Sequence, residues 1–172
     1  MILKSMTFLT GFMGCGKTSV GRELARLVSV QFIDLDEQIV KSSGKSIKEI
    51  FTEHSEAHFR QLERELLTQI VAHQPAVVSL GGGTFINPQN RRLIIQNGIS
   101  VFLHCSLETI YKRLQNDTLR PLFSDRSNFE KLYRERLPIY QLADLQLDVS
   151  SLSIEEAASK IAEMLIRVPP KA

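Results

Sequence analysis

The sequence predicts an α/β fold: a five-stranded parallel sheet flanked by helices, with a lid loop. Two observations carry the prediction. Short apolar runs alternate with segments whose apolar residues recur at helical spacing. The first apolar run enters a glycine-rich loop, Gly11-Phe-Met-Gly-Cys-Gly-Lys-Thr18, which opens a helix. No linker, repeat or low-complexity tract divides the 172 residues, so residues 1–172 are expected to form one domain.

Ile2–Thr10 reads as the first strand. Lys17–Val28 reads as a helix, with Val20, Leu24, Leu27 and Val28 on one face. Gln31–Asp34 is a second strand and Glu37–Val40 a short helix. Ser43-Gly44 breaks the chain. Ser46 caps the next helix, with Glu49 three residues on completing a capping box. Glu56–Ala72 is a longer helix, stopped before Pro75. Ala76–Leu80 is a third strand, running into Gly81-Gly82-Gly83. Pro88 opens a helix that ends at Asn97-Gly98. Ile99–His104 is a fourth strand, and Leu107, Ile110, Tyr111 and Leu114 mark the following helix. Asn116–Arg126 is polar and without periodicity, hence a loop. Ser127–Leu142 is helical, and Pro138 is expected to kink or shorten it. Leu145–Val149 is the fifth strand. Ile154, Ala157, Ala158, Ile161 and Leu165 mark the last helix, and Pro169-Pro170 ends order.

Composition excludes several classes. Apolar residues are 43% and charged residues 23%, the proportions of a globular protein and not of a disordered chain or collagen. The net charge of +2 is too small for a protein that binds nucleic acid mainly by neutralising phosphates. No apolar run is long enough for a membrane helix, so no membrane partner is expected. Met1–Cys15 loosely mimics a lipoprotein leader, but Ser5, Thr7 and Thr10 interrupt it, and cleavage at Cys15 would destroy the loop. Cys15 and Cys105 are expected as reduced thiols in a cytoplasmic protein.

The loop Gly11–Thr18 matches G-x-x-x-x-G-K-[ST], the P-loop pattern. Its glycines let backbone N–H groups turn inward at a phosphate. The helix that begins at Lys17 aims its positive end at the same anion. Lys17 reaches the β- and γ-phosphates, and the Thr18 hydroxyl ligates Mg²⁺. The motif alone leaves open a GTP switch, a motor or transport ATPase, and a small-molecule kinase. No [NT]-K-x-D guanine motif occurs, and the third strand ends Ser79-Leu80-Gly81 where a motor would end in Asp-Glu. A small-molecule kinase fits the chain's size best.

The acceptor side is read from charge and glycine. Asp34-Leu35-Asp36 ends the second strand. Residues two apart on a strand face one way, so both carboxylates are expected to point into the crevice beyond the strand ends. One would support Mg²⁺ and the other would orient an acceptor hydroxyl. A helix-capping role stays open for the pair. Arg60 has Glu63 at i+3, which suits an ordinary ion pair as well as a ligand site. Gly81-Gly82-Gly83 suits a close approach of backbone to ligand, or a tight turn. Arg120 lies on the lid, where it can stabilise phosphoryl charge. Arg134 and Arg136 precede Leu137-Pro138-Ile139-Tyr140 and suit carboxylate binding.

Taken together these motifs resemble the shikimate kinase family. They are Gly11–Thr18, Phe32-Ile-Asp34-Leu-Asp36, Phe59-Arg60-Gln-Leu-Glu63, Gly81-Gly82-Gly83, Leu119-Arg120-Pro121-Leu122 and Arg136-Leu-Pro-Ile-Tyr140, in the family's order and across nearly the whole chain. The resemblance implies a nucleoside-monophosphate-kinase-like fold. It implies ATP-dependent phosphorylation of the shikimate 3-hydroxyl, in the pathway to chorismate and aromatic amino acids, by a monomer. It assigns ATP to Gly14, Cys15, Gly16, Lys17, Thr18 and Ser19, with Arg113 and Arg120. It assigns Mg²⁺ to Thr18 and Asp34, and shikimate to Asp36, Arg60, Gly81, Gly82, Gly83 and Arg136. The acceptor segment spans about 35–73 and the lid about 115–126. Lys17, Asp36 and Arg120 are the groups expected to act on the reacting atoms.

The chain departs from the family at two places. It has Ser55-Glu56 where Gly-Glu is common, and Leu142 where a Glu usually follows Tyr140. The resemblance also implies an arginine near the start of the lid that stacks on adenine, for which Arg113 is the candidate here. Two further features bear on metal and thiol chemistry. His54 and His58 are spaced i, i+4 with Glu56 between them, but Ser55 stands where the His-Glu-x-x-His zinc motif needs its Glu. Cys15 lies at a helix N-terminus, which lowers thiol pKa values, so its alkylation is expected to block ATP binding.

Overall fold

The computed structural model describes residues 5–73, 75–114 and 126–168. Five strands are described: β1 (Met6–Thr10), β2 (Gln31–Asp34), β3 (Ala76–Ser79), β4 (Gly98–His104) and β5 (Leu145–Asp148). They form one parallel sheet in the order β2-β3-β1-β4-β5. The described helices are α1 (Lys17–Val28), α2 (Leu35–Ser43), α3 (Ile47–Glu53), α4 (Glu56–Val71), α5 (Pro88–Asn97), α6 (Leu107–Leu114), α7 (Arg126–Tyr140) and α8 (Ile154–Arg167).

The sheet is buried as a parallel sheet must be. Phe8, Leu9, Val77, Val78, Val101 and Leu103 are fully enclosed. Burial of such a side chain contributes about 2 kcal/mol. α1 packs against α8, and it lies so close to the sheet that a Cβ at Gly21 would meet the Phe32 ring at 2.6 Å.

The order also places the site. The chain leaves β1 for β2, then returns to fill the gap between them with β3 before crossing to β4. β1 is therefore where the sheet's winding reverses. The crevice at its C-terminal end is the usual ligand position in such folds. The phosphate loop leaves β1 there and the triple glycine leaves β3 beside it. The Leu80 N–H donates to Leu9 O at 3.0 Å and carries the pairing past the strand end.

Caps fix the helix starts. Ser46 and Ser153 form capping boxes with Glu49 and Glu156, and Asn87 caps α5 ahead of Pro88. Ser55, at the position where the family often has Gly, accepts from the His58 N–H and caps α4.

Three expectations need correction. α2 starts at Leu35, not Glu37, so Asp36 is helical and not strand-end. Arg126 is not a loop residue: it opens α7, pairs with Glu130 at 3.1 Å and covers the Tyr111 ring. Pro138 lies in the last turn of α7, which ends two residues later at Tyr140, in line with the expected shortening. The helix stops two residues short of Leu142, whose side chain is largely exposed.

Candidate active site

The crevice is a cleft of about 940 Å³. The phosphate loop forms its floor. Gly14 and Gly16 adopt left-handed φ values of 79° and 95°, which a side chain would strain. Gly16 ends the loop and caps α1 with no side-chain oxygen in the way. Lys17 Nζ folds back across the loop and donates to Gly11 O at 2.9 Å and Phe12 O at 3.1 Å. Gly14, Cys15, Gly16, Lys17, Thr18 and Ser19 all line the cleft.

The next wall is acidic. The Thr18 hydroxyl donates to Asp34 Oδ2 at 2.8 Å. Asp34 Oδ1 meanwhile accepts from the backbone N–H of Asp36 and of Glu37, at 3.1 and 3.2 Å. Asp34 is thus the N-cap of α2, and Asp36 sits in the first turn that it caps. Both line the cleft, but by helix-start geometry and not by strand alternation. Asp36 Oδ1 is buried and has no hydrogen-bond partner among the described residues. Burial, then the Asp34 and Glu63 carboxylates, push its pKa up to about 6 against the pull of Lys17 and Arg60.

The triple glycine organises what remains. A Cβ at Gly81 would meet Asp36 Oδ1 at 2.7 Å. One at Gly82 would meet Arg136 Nη1 at 3.5 Å, and one at Gly83 would meet the Arg60 guanidinium at 2.6 Å. Three consecutive glycines therefore sit against the one carboxylate and two guanidiniums expected on the acceptor side. Of the three only Gly82 lines the cleft; Arg60, Gly81, Gly83 and Arg136 flank it through these contacts.

Arg60 is held on both sides. It donates to Glu63 Oε2 at 3.0 Å and to exposed Glu56 at 3.1 Å. The ion pair with Glu63 is real, but it is no surface pair, because Glu63 is completely buried. Arg136 Nη1 donates to Gly82 O at 3.3 Å, and the Tyr140 hydroxyl donates to the same carbonyl at 2.5 Å. Arg113 reaches over the phosphate loop to Cys15 O at 3.3 Å and to Val149 O at 3.2 Å. Cys15 itself is buried, which shields its thiol from reagents in this conformation. Arg120 and the lid residues 115–125 lie outside the described residues.

Sequence reasoning missed the far wall, formed by Val149 and the start of α8 from Leu152 to Ala157. It also missed the depth of Glu63. Phe59, Glu63, Leu67 and Ile70 form the buried stripe of α4. A glutamate at i+4 from one apolar residue and i−4 from the next was a readable signal.

The shikimate kinase family model matches residues 13–166. The chain belongs to the shikimate kinase family. It is 41% identical over 160 residues to a shikimate kinase of Geobacter metallireducens, covering 91% of this chain and 89% of the relative. The crystal structure of the Bacteroides thetaiotaomicron shikimate kinase matches with a TM-score of 0.87 at 32% identity, over 94% of this chain and 98% of that one. The Acinetobacter baumannii shikimate kinase in complex with shikimate matches at 0.85 and 32%, over 94% of this chain and 93% of that one. Shikimate kinases phosphorylate shikimate with ATP in aromatic amino acid biosynthesis. The five-stranded parallel sheet is their fold, as the sequence predicts. Among the described residues of this family member, no helix is long and apolar enough to cross a membrane.

Proposed function

We propose that the chain transfers the γ-phosphoryl group of ATP to the 3-hydroxyl of shikimate. One observation carries the reading at the level of residues. Three consecutive glycines lie against one acceptor-side carboxylate and two guanidiniums, next to a phosphate cradle. That set suits an acceptor with one carboxylate and a ring of hydroxyls.

The P-loop backbone from Gly14 to Ser19 holds the polyphosphate, and Lys17 exchanges its two loop carbonyls for phosphate oxygens. The Thr18 hydroxyl and the Asp34 carboxylate, 2.8 Å apart, are hard oxygen donors that suit Mg²⁺ completed by water and phosphate. The ion, when bound, neutralises charge on the phosphates. Arg60 and Arg136 grip the acceptor carboxylate, each with a planar fork of donors. Gly81, Gly82 and Gly83 let the ring approach their backbone.

Asp36 takes the proton of the attacking hydroxyl. Its Oδ1 has no partner among the described residues, and a pKa of about 6 suits a base that works near neutrality. Arg113 lies on the adenine side, and Arg120 is the lid arginine that meets the transferring phosphoryl. Positioning and electrostatics supply most of the acceleration, as is usual for phosphoryl transfer. In the same reading the enzyme is a cytoplasmic monomer, which light scattering of the purified chain tests for mass.

The test is a coupled ADP-release assay with ATP, Mg²⁺ and shikimate, with gluconate and no-acceptor controls. Turnover is expected with shikimate alone and is lost in Lys17→Ala. Nucleotide binding without shikimate-dependent turnover refutes the acceptor.

A further inference from the structure

We infer that Thr84 is a positioning residue for the acceptor carboxylate: its buried hydroxyl holds Glu63, and through Glu63 it sets the guanidinium of Arg60. The inference rests on the proposed role of Arg60 as a carboxylate ligand.

Thr84 and Glu63 are 21 residues apart in sequence and both are fully buried. The Thr84 hydroxyl donates to Glu63 Oε1 at 2.5 Å. The other oxygen, Oε2, accepts from Arg60 Nη1 at 3.0 Å. The carboxylate is thus divided, one oxygen to a hydroxyl fixed in the glycine turn and one to the arginine. The turn itself is closed by the Thr84 N–H, which donates to Gly81 O at 3.1 Å. Backbone and side chain of one residue therefore tie the glycine loop to α4.

Arg60 has a competing partner. Glu56, one helical turn earlier, accepts from its Nη2 at 3.1 Å and stands in solvent. The buried hold of Glu63 sets the guanidinium against Gly83, on the cleft side, while Glu56 draws it outward. A buried carboxylate oxygen deprived of its donor is costly, and the side chain turns to find another. With the Thr84 hydroxyl gone, Glu63 Oε1 competes with Oε2 for Arg60. The guanidinium then leaves the position in which two of its N–H groups can meet an incoming carboxylate.

The experiment is calorimetric titration of the full chain with shikimate and, separately, with a non-hydrolysable ATP analogue and Mg²⁺. Parent, Thr84→Val, Thr84→Ala and Thr84→Ser are compared, and acceptor KM and kcat are measured on each. In Val and Ala, shikimate affinity is expected to fall about tenfold, the low end for a hydrogen bond to a charged group. The acceptor KM rises in step while kcat and nucleotide affinity hold. The serine variant keeps the hydroxyl and behaves as the parent. Unchanged shikimate affinity in Val and Ala overturns the inference while the acceptor assignment stands. Parallel loss of shikimate and nucleotide affinity marks Thr84 as structural only and also overturns it. A parent that binds the nucleotide but not shikimate refutes the acceptor assignment, and the inference falls with it.

Discussion

The Thr18 hydroxyl donates to Asp34 Oδ2 at 2.8 Å, while Oδ1 of the same carboxylate caps α2. One side chain thus joins the first turn of the phosphate helix to the first turn of the acceptor segment. Two functions of Asp34 can be separated by substitution. Asn is as good an N-cap as Asp but carries no charge. Asp34→Asn is expected to melt near the parent, whereas Asp34→Ala loses about 1 kcal/mol, a fall of about 2–4 °C in Tm. Both variants should need more Mg²⁺ for half-maximal activity. Melting curves and Mg²⁺ titrations of the two variants check this, and an unchanged Mg²⁺ requirement in Asp34→Asn removes the carboxylate from the metal's shell.

Gly83 faces the Arg60 guanidinium at a distance that leaves no room for a methyl group. Gly83→Ala therefore displaces Arg60 while adding little to the surface. The acceptor KM is expected to rise about tenfold, the scale of a charge-assisted hydrogen bond lost. The ATP KM should hold. Steady-state kinetics with each substrate varied in turn decides it.

Much of this arrangement was legible in the sequence, for reasons that differ by residue. The P-loop was read directly because its chemistry is local: glycines, lysine and threonine occupy eight consecutive positions. The five strands were read from apolar runs, and Ser46 from its capping box, whereas the matching box of Ser153 with Glu156 emerged only with the structure. Asp34 and Asp36 were assigned to the site from strand alternation, but a helix begins at Leu35 and the cap geometry is what places them. Thr84 could not be read. Its partner Glu63 is 21 residues away, and only the folding of the glycine turn onto α4 brings the two together. The wall from Leu152 to Ala157 escaped for the same reason, since β5 and α8 meet the phosphate loop only in three dimensions.

Tyr140 holds the Gly82 carbonyl beside Arg136. Burial pushes its phenol up to about 12, so the hydroxyl remains a donor throughout the working range. Tyr140→Phe removes one neutral hydrogen bond, about 1 kcal/mol, and lowers Tm by about 2–4 °C. With the carbonyl released, Arg136 loses its rest. The acceptor KM should rise several-fold with the ATP KM unchanged, a split that thermal shift and kinetics on one preparation would reveal.

Asp36 sets an opposition between stability and activity that pH exposes. Its carboxyl titrates at about 6 in the folded chain against an ordinary 3.8. The folded state therefore binds the proton more tightly than the unfolded state does. Its contribution to stability is full below the ordinary value and is lost as pH rises through about 6. Over that window the loss is at most about 3 kcal/mol. Activity runs the other way, because a base must be ionised to accept the hydroxyl proton. The acid limb of kcat/KM for the acceptor is expected to rise through about pH 6. Asp36→Asn removes the ionisation altogether. It should melt higher than the parent above pH 6, lose most of its turnover, and flatten that limb in the residual rate. Melting temperatures and pH–rate profiles of the two proteins, taken side by side, test both halves. A variant that is less stable than the parent at pH 8 would show that the carboxylate is better accommodated than its burial implies.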